Sequence, residues 1–337
     1  MGWRGTIRSL RAAARAAEQD ARRRQREMER EEREYEKMLE LEHAAHEVDV
    51  FENYIERITS IHKEYNDPID WEQWTRAPEP PEPQRLNTEE QEALEKKASY
   101  KPGFFDWLLR RETQVLQSLD EEIELARKDD EIAYSVSLRE FRETHEDWQH
   151  SRDLALRILS GDLQAYRDAV EKLHSFQDID DLGSSVFFEF EDPRLLCTVV
   201  KVRGEDVVPR ESKSLLKSGK LSVKRMPIGR FYEIYQDYVC GAALRVAGEV
   251  FALLPVEAVL ITSVDDLLNT QTGHLEEQAI LSVAIPRSTF EGLNLQLIDP
   301  SDAMNNFLHR MNFKKMKGFC PVEPIEKSEV DLLRIKP

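Results

Sequence analysis

No stretch of this chain is apolar for long enough to cross a membrane. The most hydrophobic segment, Val239 to Pro255, is interrupted by Arg245 and Glu249 and reads as a buried helix. An apolar signal core is likewise missing behind the N-terminal arginines, so a cytoplasmic location and no membrane partner are expected. Cysteine is scarce. Cys197, Cys240 and Cys320 have no C-x-x-C spacing and an odd number cannot all pair, which reads as reduced thiols rather than a disulfide scaffold. There is no G-x-G-x-x-G, no P-loop, no G-x-S-x-G and no zinc spacing, so the common signatures of nucleotide binding and hydrolysis are absent. His274 and His309 stand alone, and no metal site is expected from them.

Charge is what the chain has in excess. Of 337 residues 33% are charged, against 8% aromatic, a balance that suggests long solvated helices attached to a smaller globular part. The net charge of -18 argues against non-specific nucleic-acid binding by the molecule as a whole. Two islands run the other way. Residues 1–30 hold nine arginines against four carboxylates, a net +5, and residues 210–230 are seven to one, a net +6, leaving -29 for the rest.

From Thr6 to about Tyr65 there is no proline, and the spacing predicts one long helix over residues 1–65. Its first half is charged nearly all round. From Leu41 a heptad emerges, with Leu41, Val48, Ile55 and His62 at one core position and Ala44, Phe51, Ile58 and Tyr65 at the other. This predicts a coiled-coil seam of Leu41, Val48, Phe51, Ile55 and Ile58, or an amphipathic helix packed on its own chain. Residues 66–87 form a linker stiffened by Pro78, Pro80, Pro81 and Pro83, with Trp71 and Trp74 ahead of it expected to dock on a helix. Thr88 and Gln91 read as a capping box opening a second helical arm, 88–180, with a long helix from Phe104 to about Leu159 ended by Gly161. Two long helices joined by a stiff linker suggest an antiparallel hairpin.

The pattern then changes to period two. Ser185–Phe190 and Leu195–Val202 read as a hairpin, Arg230–Leu254 as a core helix, and Val256–Val264 and Ala279–Ile285 as strands. Asp299 reads as the cap of a last helix running to about Met311. The fold class expected is α+β: a long N-terminal helical coiled-coil hairpin, then a compact α+β domain over 181–325 and a tail over 326–337.

Two groups of residues are candidates for chemistry. In the basic segment, Glu211-Ser212-Lys213 is an E-x-K triplet of the kind metal-dependent nucleases place on a strand. Pro209 and Gly219 bracket residues 210–218 as a helix would be bracketed, and on a helix Glu211 and Lys213 would diverge. Lys217, Lys220, Lys224 and Arg225 could contact phosphate, or dock on the acidic helices of the same protein, which is the stronger reading because the chain supplies that partner. The second group is Asp265, Asp266, Glu276 and Glu277 at the ends of two strands, an arrangement suited to Mg²⁺ and phosphodiester hydrolysis. The lysine expected two residues after the second acid is missing there.

The stretches MGWRGT, YKPGFFDWLL, KSLLKSGKLSVK, RFYEIYQDYVCGAALRVA, TGHLEEQAILSVAI and DPSDAMNNFLHRM resemble a family of functionally uncharacterised bacterial proteins. The resemblance covers nearly the whole chain. It implies a bacterial cytoplasmic protein in which a coiled-coil arm and an α+β domain travel together, and it carries over no catalytic residue. The function expected is a non-catalytic interaction or assembly protein that needs no cofactor. Its arm would bind itself or a protein partner, and its α+β domain would recognise a partner, nucleic acid among the candidates. The alternative is a metal-dependent nuclease or phosphodiesterase.

Overall fold

The structure, a computed structural model, describes residues 3–101, 112–173 and 185–334, with side chains described at Met28 and Arg30 and over 32–101, 113–172 and 185–330. The fold is α+β. The chain divides into two compact units, Met1–Pro68 with His174–Pro337, and Ile69–Leu173. The first long helix therefore belongs to the same unit as the sheet.

That helix, α1, spans Trp3–Thr59 and is followed by a 3-10 turn at Ile61–Lys63. It ends six residues short of the expected Tyr65. The second unit holds α2 (Trp71–Arg76), α3 (Thr88–Ser99), α4 (Glu112–Leu159) and α5 (Leu163–Leu173). Its core is small: Trp71, Ala93, Leu119, Ile123, Ala155, Ile158, Tyr166 and Ala169 are buried. Trp71 meets Trp74 edge to face at 5.1 Å, and α2 packs on α4, as expected of a docked tryptophan pair. The capping box expected at Thr88 does not form. Asn87 is the N-cap and makes no side-chain bond there; the orphan N–H groups of Glu89 and Glu90 donate to the buried carboxylate of Asp130 on α4, at 3.2 and 2.9 Å. A cap supplied from another helix leaves no local sequence signal. Gly161 ends α4 at φ 78°, as read from sequence, and Asp162 caps α5. The expected helix start at Phe104 and the turn at 178–183 lie outside the described residues.

In the first unit a six-stranded sheet has the order β1-β2-β5-β6-β7-β8, built from β1 (Ser185–Glu189), β2 (Leu195–Lys201), β5 (Ala258–Leu268), β6 (Leu275–Pro286), β7 (Leu308–Lys314) and β8 (Gly318–Cys320). Among the described residues only β2 and β5 run parallel. Between them lie a separate hairpin, β3 (Glu211–Leu215) with β4 (Leu221–Arg225), and the long helix α6 (Ile228–Leu253). Short helices α7 (Arg287–Glu291) and α8 (Pro300–Ala303) follow β6, and α9 (Lys327–Arg334) closes the chain.

Three expectations are corrected here. The helix opened by Asp299 stops at Ala303 and turns through Met304–Asn306 into β7, because Leu308–Met311 complete the ladder on β6 instead. The expected tail is helical from Lys327, with Ile325 and Val330 buried on Leu195, Cys197 and Leu260. The strands of the β5–β6 hairpin run four residues further than predicted toward their shared turn, so the acidic residues sit inside the ladder.

From Tyr238 to Leu253 every residue of α6 is buried, which a helix achieves only with cover on all sides. One side packs on the sheet; the other carries the strap Ile61–Asn66 that continues α1. Gly241 and Gly248 make this approach possible: a Cβ on them would sit 2.9 Å from Ile61 Cγ2 and 2.9 Å from the Tyr65 ring. Between these points Arg245 pairs with Glu249 at 2.7 Å, and Asn66 Nδ2 donates to Glu249 Oε2 at 2.8 Å. The heptad residues Ala44, Val48 and Ile58 are buried, and α1 packs on β3, β4 and α6. The apolar stripe read as a coiled-coil seam is thus lined by the chain's own domain.

Candidate functional site

The segment 210–218 is a strand and turn, not the helix expected from its flanking Pro209 and Gly219. Gly219 occupies the turn between β3 and β4 at φ 80°, where a Cβ would lie 2.9 Å from Leu41 Cδ2. The glycine serves both the left-handed turn and the close approach to α1. On a strand Glu211 and Lys213 do share a face, so the geometric objection to the E-x-K triplet disappears. Another takes its place: Lys213 Nζ bonds Glu47 Oε2 on α1 at 2.5 Å, and this ammonium holds the Glu47 carboxyl below its ordinary range.

Of the four phosphate-contact candidates, Lys220 docks on Glu40 of α1 at 3.2 Å. Lys217 at the turn and Lys224 and Arg225 on β4 are exposed, and none of them pairs with a described residue. Lys224 lies across from Ser212 and Arg225 across from Glu211, so these two point to opposite faces of the ribbon. Arg210 stacks over Phe231 at 5.6 Å with its tip 3.9 Å from Glu205 and Asp206. The basic segment is thus divided between docking on the chain's own acids and a small exposed remainder.

The four carboxylates of the second group do not converge. Asp265 and Gln278 are paired across β5 and β6, and Asp266 is paired with Glu277, so Asp265 faces the side opposite to Asp266 and Glu277. Asp265 points under α6, where the Tyr235 hydroxyl donates to Oδ2 at 2.6 Å and the Asp266 N–H to Oδ1 at 2.8 Å. Burial raises the pKa of this carboxyl and holds the Tyr235 phenol well above its ordinary value. Asp266 and Glu277 close on Lys201 of β2, at 3.4 and 3.0 Å. Glu276 accepts from Asn269 at 2.7 Å and Thr272 at 2.6 Å, bonds that tie the β5–β6 turn and lower its pKa. Among the described residues no group of three or more His, Cys, Asp or Glu side chains is placed to hold a metal.

Sequence reasoning missed Lys201, whose place between two acids depends on β2 lying parallel beside β5. It also missed His62, Asp237 and Asp299. Both ring nitrogens of His62, a core position of the heptad, are buried without a hydrogen-bond partner. Burial lowers its pKa, and the Asp299 charge acts on it as on Asp237. The three cysteines are free, and burial pushes the Cys197 thiol up to about 11, far from a nucleophile's range. Cys197 lies in a groove of about 500 Å³ with Val199, Leu260 and Ile325, rimmed by Lys327, which pairs with Glu191 at 2.6 Å.

Comparison with protein-family models, curated proteins and solved structures finds no match for this chain. No helix among the described residues is long and apolar enough to cross a membrane.

Proposed function

We propose that this is a non-catalytic interaction or assembly protein, in which long helices offer binding surfaces on an α+β base. The observation that carries the reading is the state of its polar groups. Each carboxylate of the enzymatic alternative is engaged by a neighbour: Asp265 by Tyr235, Asp266 and Glu277 by Lys201, Glu276 by Asn269 and Thr272. Large apolar side chains, by contrast, stand exposed along α1, among them Met28, Tyr35, Leu39 and Val50. The partner is a protein or a second copy. Nucleic acid would engage through Lys217, Lys224 and Arg225, since Lys220 already has Glu40.

The test is incubation of the full chain with labelled duplex and single-stranded DNA and RNA, with Mg²⁺ or Mn²⁺, at low and moderate salt. The expected result is no shortened product. Metal-dependent cleavage that Asp266→Ala and Glu277→Ala abolish would overturn the reading in favour of a phosphodiesterase. Salt-sensitive binding lost in Lys224→Glu would add nucleic acid to the partners.

A further inference from the structure

The chain is acidic, yet two of its stretches hold no carboxylate side chain. Residues 212–232 carry six Lys and Arg, and residues 303–322 carry four. At the chain's average of 65 acids in 337 residues, each stretch would hold about four acids. Four of the ten cations find a carboxylate from outside: Lys213 on Glu47, Lys220 on Glu40, Arg230 on Glu233 and Arg310 on Glu329. The rest are exposed, and none of them pairs with a described residue. The two stretches stand seventy residues apart in sequence, and the fold joins them. β4 ends at Lys224 and Arg225, and α6 opens three residues later at Ile228. The turn between β7 and β8, closed by the Lys317 N–H donating to Lys314 O at 2.8 Å, packs on that opening. A Cβ on Gly229 would sit 3.3 Å from Lys315 Cε, and one on Gly318 would sit 2.7 Å from the Tyr232 ring. Arg225 is four residues from Gly229, so chain reach alone holds their Cα atoms within about 14 Å.

Unpaired cations from two elements, gathered at one end of α6, fit a polyanion. We propose that this end of α6 binds the phosphate backbone of a nucleic acid without reading its sequence, with Lys224 and Arg225 on one side and Lys314, Lys315 and Lys317 on the other. The net charge of -18 does not forbid it, because acids farther away than about 8 Å are largely screened at physiological salt. A backbone is also narrow enough to follow the two acid-free stretches. A flat anionic membrane would meet the α1 acids as well, since Glu40 and Glu47 lie against the same hairpin. Met316, 64% exposed at the tip of the turn, gives a membrane little apolar surface to bury and gives a base a face to rest on. The inference rests on the interaction reading above and assigns the α+β base a partner of its own.

The test titrates the full chain into a labelled single-stranded oligonucleotide and its duplex, in EDTA, over a range of salt. Binding to the duplex should weaken with salt at a log–log slope of about -3 to -4, the release expected from about four phosphate contacts. Lys315→Ala with Lys317→Ala should weaken binding about tenfold or more at low salt and reduce the slope by about two. Lys224→Ala with Arg225→Ala, on the other stretch, should also weaken it. All four side chains are exposed, so the fold should stand. Lys37→Ala with Arg57→Ala, which removes the same charge from exposed positions on α1, should leave binding unchanged. No binding at low salt, an equal loss in the α1 pair, or capture by phosphatidylserine vesicles in place of both oligonucleotides would overturn the proposal. EDTA keeps metal-dependent cleavage out of this measurement, so the interaction reading and this one fail separately.

Discussion

Asp237 and His62 both feel the charge of the Asp299 carboxylate, and they respond to pH with opposite sign. Asp237 is pushed up to about 6, first by burial and then by the Asp299 charge, with the Ser301 hydroxyl opposing. The folded protein holds this proton more tightly than the unfolded chain, whose Asp releases it near pH 3.9 or so. The stability it contributes is complete below about pH 4 and is lost as pH rises through about 6. His62, lowered by burial, contributes stability that is present above about pH 6.5 and lost as pH falls. Asp237→Asn removes the first dependence alone. Urea unfolding at pH 8 should show the variant more stable than wild type by roughly 1–3 kcal/mol, with the difference vanishing near pH 4. A gap of equal size at both pH values would mean that Asp237 titrates normally in the fold.

The strap behind α1 and the helix beneath it depend on each other through two glycines. Gly248 lies in the middle of α6 with ordinary helical backbone, where Ala would on propensity alone stabilise by about 1 kcal/mol. The Tyr65 ring occupies the space its methyl would need, and the ring in turn packs edge-on against Phe290 at 6.0 Å. We expect Gly248→Ala to destabilise by about 1–3 kcal/mol despite its propensity. Combined with Tyr65→Ala, the two losses should fall short of additive, because the clash is gone. Full additivity in thermal melts would show that the strap yields freely. This contact was not legible from sequence. Gly241 and Gly248 look like small residues in a core helix, and only the return of the strap over α6 explains them. What was legible followed strong local patterns: the length of α6, the β1–β2 hairpin and the Gly161 stop. What was misread depended on partners far away in sequence. Residues 211–215 are a strand because β4 pairs with them, and α3 is capped by Asp130 rather than by its own Thr88.

At the scale of the molecule, the sequence suggested an arm followed by a separate domain, with a boundary at 181. The compact unit instead joins Met1–Pro68 to His174–Pro337, and Ile69–Leu173 stands between them in sequence. The composition shift that marks residue 181 records where strands begin. It does not record where the core begins. Ile58 and His62 are as buried as any residue of the sheet, at 0% and 1% exposure, and with the strap they cover the side of α6 that holds Arg245 and Glu249. A fragment of residues 174–337 would lay that side open, with a buried ion pair exposed beside an apolar surface. We expect such a fragment to melt without a cooperative transition and to lose its near-ultraviolet circular dichroism, and residues 1–68 added in trans to restore both. The stretch 69–173, contiguous and holding its own buried Trp71, Ile123, Ile158 and Tyr166, should unfold cooperatively alone. If 174–337 melts cooperatively at the temperature of the full chain, α1 is an appendage after all. If it does not, α1 acts as a beam with one face built into the domain, leaving the other held out rigidly for a partner.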